Sequence, residues 1–413
     1  MSFTAIRVGE FSGGAVGELA FARNPHDTPQ MFSVVATGAA RTYSYWDLMP
    51  DGSLFETPVL TQNGGELELA VAAYNQQRVV TAHRSGPNAA LKLSAWKTAG
   101  FFELSDDHVW TNDQDPVILP FGANAPRVAS AMPVSGGGTG AATGPVTVTV
   151  VEGFGATYGP KAGRAVVASR TADDHLRLSL WMFDNGGEVK LNVTKGPEVV
   201  SSAATAATIV KLREFWSADL KHPTGLEVMA VLRTTGAKLR LERWKIDLGG
   251  QGTPASFELI GDVTAPETIV TLSAATVDSL GGTQLVTPVR MFKGDALKVI
   301  GWKMEPDGAI TRLSDASAGA VSSVASASVR GRCFVTATRE ANGHMKARYW
   351  LFPNSVAGSF ENKAGLQETL IAESLDRITC LHFAGTAQNL GDTVVAARGP
   401  RGQLRLWRYH VSE

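Results

Sequence analysis

Two cysteines in 413 residues exclude a disulfide framework and a cysteine-built metal cluster. Cys333 and Cys380 each sit inside an apolar, strand-like run, which predicts buried free thiols. No apolar run approaches the roughly 18 residues of a membrane helix, so no membrane partner is expected. The start, Met1-Ser2-Phe3-Thr4-Ala5-Ile6-Arg7, lacks the basic stretch and long apolar core of a signal peptide, and a cytoplasmic location is expected. An excess of either charge is missing too. With 38 basic and 39 acidic residues, the chain lacks the basic domain of a nucleic-acid binder. The 8 histidines are scattered, with neither the HxH nor the HExxH spacing of a metal site, so no metal and no cofactor are expected. No Gly-x-Ser-x-Gly elbow is present, which leaves a hydrolase of that kind unsupported. The Gly-rich piece Ser135-Gly136-Gly137-Gly138-Thr139-Gly140 has no Lys-Ser/Thr ending and no helix pattern after it, and reads as a linker rather than a phosphate loop.

What the chain does have is repetition, and repeats are sought before domains are cut. The phrase Leu91-Lys92-Leu93-Ser94-Ala95-Trp96 has echoes ending at Trp46, Trp181, Trp244, Trp302, Trp350 and Tyr409, at intervals of about 50 to 85 residues. The clearest unit is Gln284–Arg290, a strand; Lys293-Gly294-Asp295, a hairpin turn; Leu297–Met304, the returning strand; Pro306-Asp307-Gly308, a second turn; and Ala309–Leu313, a further strand. A stretch rich in small residues near Thr268 to Ala275 precedes them. Equivalent small-residue strands are read at Glu68–Ala73, Val128–Met132, Val200–Ile209, Val321–Val329 and Ile378–Phe383. The first copy is the poorest and lacks the arginine that closes the second strand elsewhere.

Four antiparallel strands with small residues in the innermost make a propeller blade, because that strand crowds the central axis. The chain resembles seven-bladed β-propellers in architecture over its whole length. The resemblance implies an all-β fold: a single propeller domain, residues 1–413, of four-stranded blades. The last blade stops after its third strand, so residues 3–10 are expected to pair into it as the fourth and close the ring, which removes exposed sheet edges. Six blades plus an irregular segment is the competing layout. The chain carries no Gly-His…Trp-Asp pattern of the WD type, no kelch double glycine at a regular position and no sialidase Ser-x-Asp-x-Gly-x-Thr-Trp box.

Arg84, Arg170, Arg233, Arg290, Arg339 and Arg398 stand 11 or 12 residues before their aromatics. A second basic series, Lys92, Arg177, Arg240, Lys298, Lys346 and Arg405, sits early on the third strand. Together they read either as a cationic ring that gathers an anionic ligand or as structural ties. The second reading is favoured: each arginine reaches an acid near the next inner strand, from the set Asp106, Asp262, Asp315, Glu373 and Glu10. The aromatics are likewise expected to pack between blades rather than to stack ligands.

Function in repeat folds sits where copies differ. Two insertions are read between first and second strands, residues 134–163 and 211–223, and both emerge on one face. The second, Lys211 to Pro223, concentrates aromatic, basic and acidic side chains. The favoured function is binding of a small molecule or carbohydrate at this mouth by Trp216, Arg213, Glu214, His26 and Arg23. A cofactor-independent enzyme is the alternative, with His382 or His222 as base and Tyr74 or Tyr158 as acid. His382 also reads as a satisfied core histidine. A protein–protein scaffold using the outer rim is the third reading.

Overall fold

The computed structural model describes residues 4–23, 30–37, 40–63, 68–75, 78–84, 91–97, 147–152, 163–185, 191–218, 223–249, 253–368, 375–385 and 389–412. Every regular element among them is a β-strand, and neighbouring strands run antiparallel. The aromatics mark the sheets. The Trp46 sheet holds Glu18–Arg23, Gln30–Ala36, Ala40–Leu48 and Leu54–Asn63 in chain order. In the Trp96 sheet Glu68–Asn75, Arg78–Arg84 and Leu91–Lys97 are described. The Trp181 sheet holds Thr147–Glu152, Gly163–Arg170, His175–Asn185 and Leu191–Ala203. The next three sheets are joined, because the long strands Ser256–Leu272 and Ile310–Arg330 each leave the outer edge of one sheet and enter the inner position of the next. They frame Ala206–Trp216, Pro223–Arg233 and Lys238–Asp247; then Ala275–Ser279, Gly282–Met291 and Ala296–Met304; then Cys333–Glu340, Met345–Leu351 and Glu361–Glu368. The Tyr409 sheet holds Asp376–Ala384, Asn389–Arg398 and Gln403–Ser412, and its fourth strand is Thr4–Ala15, paired from Thr4↔Ser412 to Ala15↔Gln403. The N-terminal strand expected over residues 3–10 thus runs on to Ala15.

Three inner strands depart from expectation. Thr147–Glu152 holds the inner place of the Trp181 sheet against Gly163–Arg170, where Val128–Met132 was expected; residues 128–132 lie outside the described residues. The supposed insertion 134–163 therefore contains the inner strand itself. Val200 belongs to the outer strand Leu191–Ala203, and the next inner strand is Ala206–Trp216. The inner strand of the Trp302 sheet breaks at Ser273 and Ala274, beside Pro288 on its partner, whose carbonyl takes the Ser273 N–H. A proline has no N–H to continue a ladder there.

Second strands lie between neighbouring sheets and are buried on both faces, so their apolar runs are continuous rather than alternating. Val228, Ala230 and Leu232 pack toward the Trp181 sheet, while Met229 and Val231 pack toward the Trp302 sheet. Inner strands neighbour one another in order. Glu18–Arg23 lies beside Glu68–Asn75, then come Thr147–Glu152, Ala206–Trp216, Ala275–Ser279, residues 321–330 and Asp376–Ala384, which lies beside Glu18–Arg23. Strand alternation gives two faces. Inner strands turn into second strands on the upper face, and second strands turn into third strands on the lower.

The repeated side chains are fasteners. Trp46, Trp181, Trp244, Trp302, Trp350 and Tyr409 are all buried, which agrees with packing between sheets. The indoles of Trp46, Trp302 and Trp350 donate to Ser33, Thr287 and Thr336 on their second strands at 2.8–2.9 Å, since a buried N–H needs an acceptor. Four of the six arginines tie sheet to sheet through main-chain carbonyls, while Arg339 donates to Ser322 Oγ within its own sheet and the Arg84 side chain lies outside the described residues. Arg233 Nε donates to Ile269 O at 2.8 Å, Arg290 Nη1 to Ser322 O at 3.1 Å, Arg398 Nη1 to Gly17 O at 3.0 Å and Arg170 Nη1 to Thr205 O at 3.5 Å. The acids expected as their partners meet the second basic series instead: Asp262 pairs with Arg240, Asp315 with Lys298 and Glu10 with Arg405. Asp106 and Glu373 lie outside the described residues. Cys333 and Cys380 form no disulfide and are buried in the core between the Trp350 and Tyr409 sheets, and burial pushes the Cys380 thiol up to about 12.

Candidate functional site

The stretch expected as an inserted loop at 211–223 is mostly strand. Lys211 through Trp216 continue the inner strand, pairing from Lys211↔Val228 to Trp216↔Pro223. The result is a long hairpin rising on the upper face of the Trp244 sheet. Its ladder satisfies the backbone, so the chain extends without a loop's unpaired groups. Three side chains form a stack there. The Arg213 guanidinium lies 4.9 Å from the Phe215 ring centroid, and Lys245 Nζ lies 5.9 Å from it. A ring with cations this close is held electrostatically as well as by packing. Gly225 makes the seat: a Cβ there would lie 3.4 Å from Phe215 and 2.8 Å from Ile246 O. Glu214 accepts from Lys211 Nζ at 2.5 Å. Trp216 is half-buried at the hairpin's end.

Below the stack lies a network the sequence reading missed. Glu227 is buried, its side chain 2% exposed, and it takes Arg213 Nη2 at 2.5 Å and Arg243 Nη2 at 2.7 Å. Arg243 Nη1 reaches Glu305 O in the Trp302 sheet at 2.6 Å. Beside it Gly261 abuts the next sheet so closely that a Cβ would lie 2.2 Å from Gly308 O. The same clamp recurs at the Tyr409 sheet. Arg408 binds Asp392 and donates to Met49 O at 2.5 Å in the Trp46 sheet, and a Cβ on Gly9 would lie 2.1 Å from Gly52 O. The signal was present in the residue before the aromatic, arginine at 243 and 408, and in an acid six residues before the strand-ending arginine, Glu227 and Asp392. The two differ in the acid, aspartate for glutamate, and in its second partner: Asp392 takes His410 where Glu227 takes Arg213.

The expected site residues are only partly brought together. Trp216, Arg213 and Glu214 share the hairpin. Arg23 and His382 meet elsewhere, where Arg23 Nη1 donates to His382 O at 3.1 Å. Both ring nitrogens of His382 are occupied, Nδ1 by Thr393 Oγ1 at 3.0 Å and Nε2 by Leu390 O at 2.7 Å. Thr393 in turn accepts from Tyr349 OH at 2.9 Å. Burial pushes the His382 pKa down to about 4, with the Leu390 carbonyl opposing the shift. His382 is thus a satisfied core histidine joining two sheets, with no free nitrogen to act as a base. Tyr74 is the last residue but one of the strand Glu68–Asn75. His26, Tyr158 and His222 lie outside the described residues.

No family model matches this chain, and no curated protein matches it. Solved structures do. The WD40 domain of Toxoplasma gondii coronin aligns over 100% of this chain and 86% of its own at 10% identity, with a TM-score of 0.50. A fucose-specific lectin from Aleuria aurantia aligns over 97% of this chain and 96% of its own at 10% identity and TM-score 0.46. Sqt1 from Chaetomium thermophilum aligns over 97% and 98% at 10% identity and TM-score 0.47. At such identities the likeness concerns the fold alone. The fold is that of a β-propeller, as the repeated sheets require.

Proposed function

We propose that the chain is a single closed ring of seven blades that binds a small molecule or carbohydrate on its upper face, at the Ala206–Trp216 hairpin. The ring is supported by the inner strands, whose order of contact returns to its starting point, and by the clamp at the Tyr409–Trp46 junction, where Arg408 joins an acid to a main-chain carbonyl as Arg243 does at the Trp244–Trp302 junction. The binding reading is carried by one observation. Arg213, which is 49% exposed, and Lys245 lie 4.9 and 5.9 Å from the centroid of Phe215, on a hairpin that also bears Glu214 and Trp216. An aromatic surface with polar groups of both signs suits a ligand that has an apolar face and several hydrogen-bonding groups. The buried Glu227 beneath fixes Arg213, so that cation is held in place before any ligand arrives. A thermal-shift screen over metabolites and simple sugars tests this. At least one compound is expected to raise the melting temperature of the native chain, and Trp216→Ala and Arg213→Ala are expected to abolish that shift. A screen without a hit, or a shift that survives both variants, sinks the reading.

A further inference from the structure

A second departure from the repeat lies on the opposite face. Two residues after the strand-ending arginine, the other repeats carry Gly86, Ala172, Thr235, Ala341 and Pro400 in sequence; the repeat of Trp302 carries Phe292. That ring is 66% exposed. The main chain here is fixed, because Phe292 N–H donates to Thr268 O at 2.9 Å and Gly294 supplies the φ of 78° that the turn needs. A second position changes with it. Two residues before the carbonyl that receives an arginine, other junctions carry Ala15, Ala203 and Ala320; this one carries Glu267. Both substitutions line one open cleft of about 570 Å³, with Pro266, Met291, Lys293 and Lys298. Ligand sites commonly fall between roughly 300 and 1,000 Å³.

The cleft has a fixed floor and an apolar wall. Glu267 is nearly buried and held by Lys298 Nζ at 3.0 Å and Arg312 Nη2 at 2.7 Å. Burial alone raises its carboxyl, but the hydrogen bonds from Arg312 and Lys298 outweigh that and keep it below the ordinary carboxylate value. Lys238 Nζ sits at the rim, bonded to Pro266 O at 2.6 Å. Lys293 has no ionic partner among the described residues. Around the cleft Lys238, Arg290, Lys293, Lys298 and Arg312 face Glu267, Asp295 and Asp315, so positive charge exceeds negative.

We infer that this lower cleft binds an acidic sugar of the uronic acid class, its C–H face stacked on Phe292 and its carboxylate met by Lys293 and Lys298. An exposed aromatic beside a surplus cation favours a ligand with one apolar face and one negative group. The site is separate from the upper hairpin and stands or falls independently of it.

The test is calorimetric titration of the full chain with methyl β-D-glucuronide, with methyl β-D-glucoside and benzoate as controls. Saturable binding of the glucuronide is expected, weaker for the glucoside and for benzoate. Phe292→Ala is expected to weaken it about tenfold and Lys293→Ala several-fold, while Trp216→Ala leaves it unchanged. Phe292 and Lys293 are exposed, so both variants fold, which melting curves verify. Absence of saturable binding overturns the site, as does an unchanged affinity in Phe292→Ala. Equal affinity for the glucoside removes the role of charge and overturns the acidic-sugar assignment. Equal or tighter binding of benzoate overturns it by removing the sugar. Loss in Trp216→Ala alone moves the binding to the upper hairpin and overturns the lower cleft.

Discussion

The Trp244 and Tyr409 sheets are built from the same fasteners, but only the first is a continuous run of chain. In the Trp244 sheet a covalent turn joins Lys238–Asp247 to Ser256–Leu272. In the Tyr409 sheet Gln403–Ser412 meets Thr4–Ala15 through the backbone ladder and side chains alone. The matching contacts fall at matching positions. Arg233 to Ile269 O corresponds to Arg398 to Gly17 O, Arg240–Asp262 to Arg405–Glu10, and Arg243 to Glu305 O corresponds to Arg408 to Met49 O. The comparison teaches that the turn is dispensable: the ladder and three arginines position an outer strand whether or not the chain is continuous beside it. What the Tyr409 sheet lacks is the turn's restraint on local opening.

The largest expected effect comes from cutting the clamp in each sheet. Arg243→Ala leaves the buried Glu227 carboxylate short of its main partner, at a cost of about 3–5 kcal/mol, and Arg408→Ala does the same to the part-buried Asp392 at a smaller cost, both read by urea unfolding. They are expected to differ in hydrogen exchange. Arg408→Ala speeds exchange along Thr4–Ala15, whereas Arg243→Ala leaves residues 256–268 protected because the turn still holds them. Identical exchange behaviour in the two variants breaks the comparison.

A pH-dependent difference comes next. The folded pKa of His382 is about 4 and the ordinary value is 6.5. Above pH 6.5 both folded and unfolded forms are neutral, and the group contributes nothing to pH dependence. As pH falls from 6.5 toward 4 the unfolded chain takes up a proton that the folded chain refuses, so stability drops, by on the order of 3 kcal/mol. His382→Asn is expected to flatten that part of the stability–pH curve, measured by denaturant titration at each pH. A slope that persists unchanged assigns the acid sensitivity to other groups.

The smallest effect concerns close approach. Gly9→Ala and Gly261→Ala each drive a methyl into a facing carbonyl, at Gly52 and Gly308, and each is expected to cost about 1–3 kcal/mol. Matching losses of melting temperature sharpen the equivalence of the two junctions. A neutral Gly9→Ala shows that the Tyr409 sheet relaxes where the Trp244 sheet cannot.

Much of this was legible in the chain because it was repeated. The phrase ending at Trp96 located the third strands. The turn at Lys293-Gly294-Asp295 was readable from its residues, and the pairing of the N-terminal strand with the last sheet followed from a missing fourth strand. The misreadings have a common cause. Residues 134–163 and 211–223 looked like insertions because they broke the phrase, yet Thr147–Glu152 and Lys211–Trp216 are ladder-paired strands. A strand of irregular composition is defined by its partner, and a partner is not a local property. The arginines were recognised as ties, but a carbonyl acceptor leaves no mark in a sequence, whereas an acid does, so the acids were assigned to the wrong cations.

The sequence by itself determined the all-β architecture, the repeat and the burial of its aromatics, because strand period, turn residues and spacing are all local or recurrent. Only the tertiary structure decided which side chains share a site. It committed both nitrogens of His382 to the core, set Arg213 and Lys245 close to the Phe215 ring, and brought Glu267 and Phe292 to one cleft. Those pairings depend on register and on the approach of one sheet to the next. Both are properties of the folded neighbours rather than of any one stretch of chain.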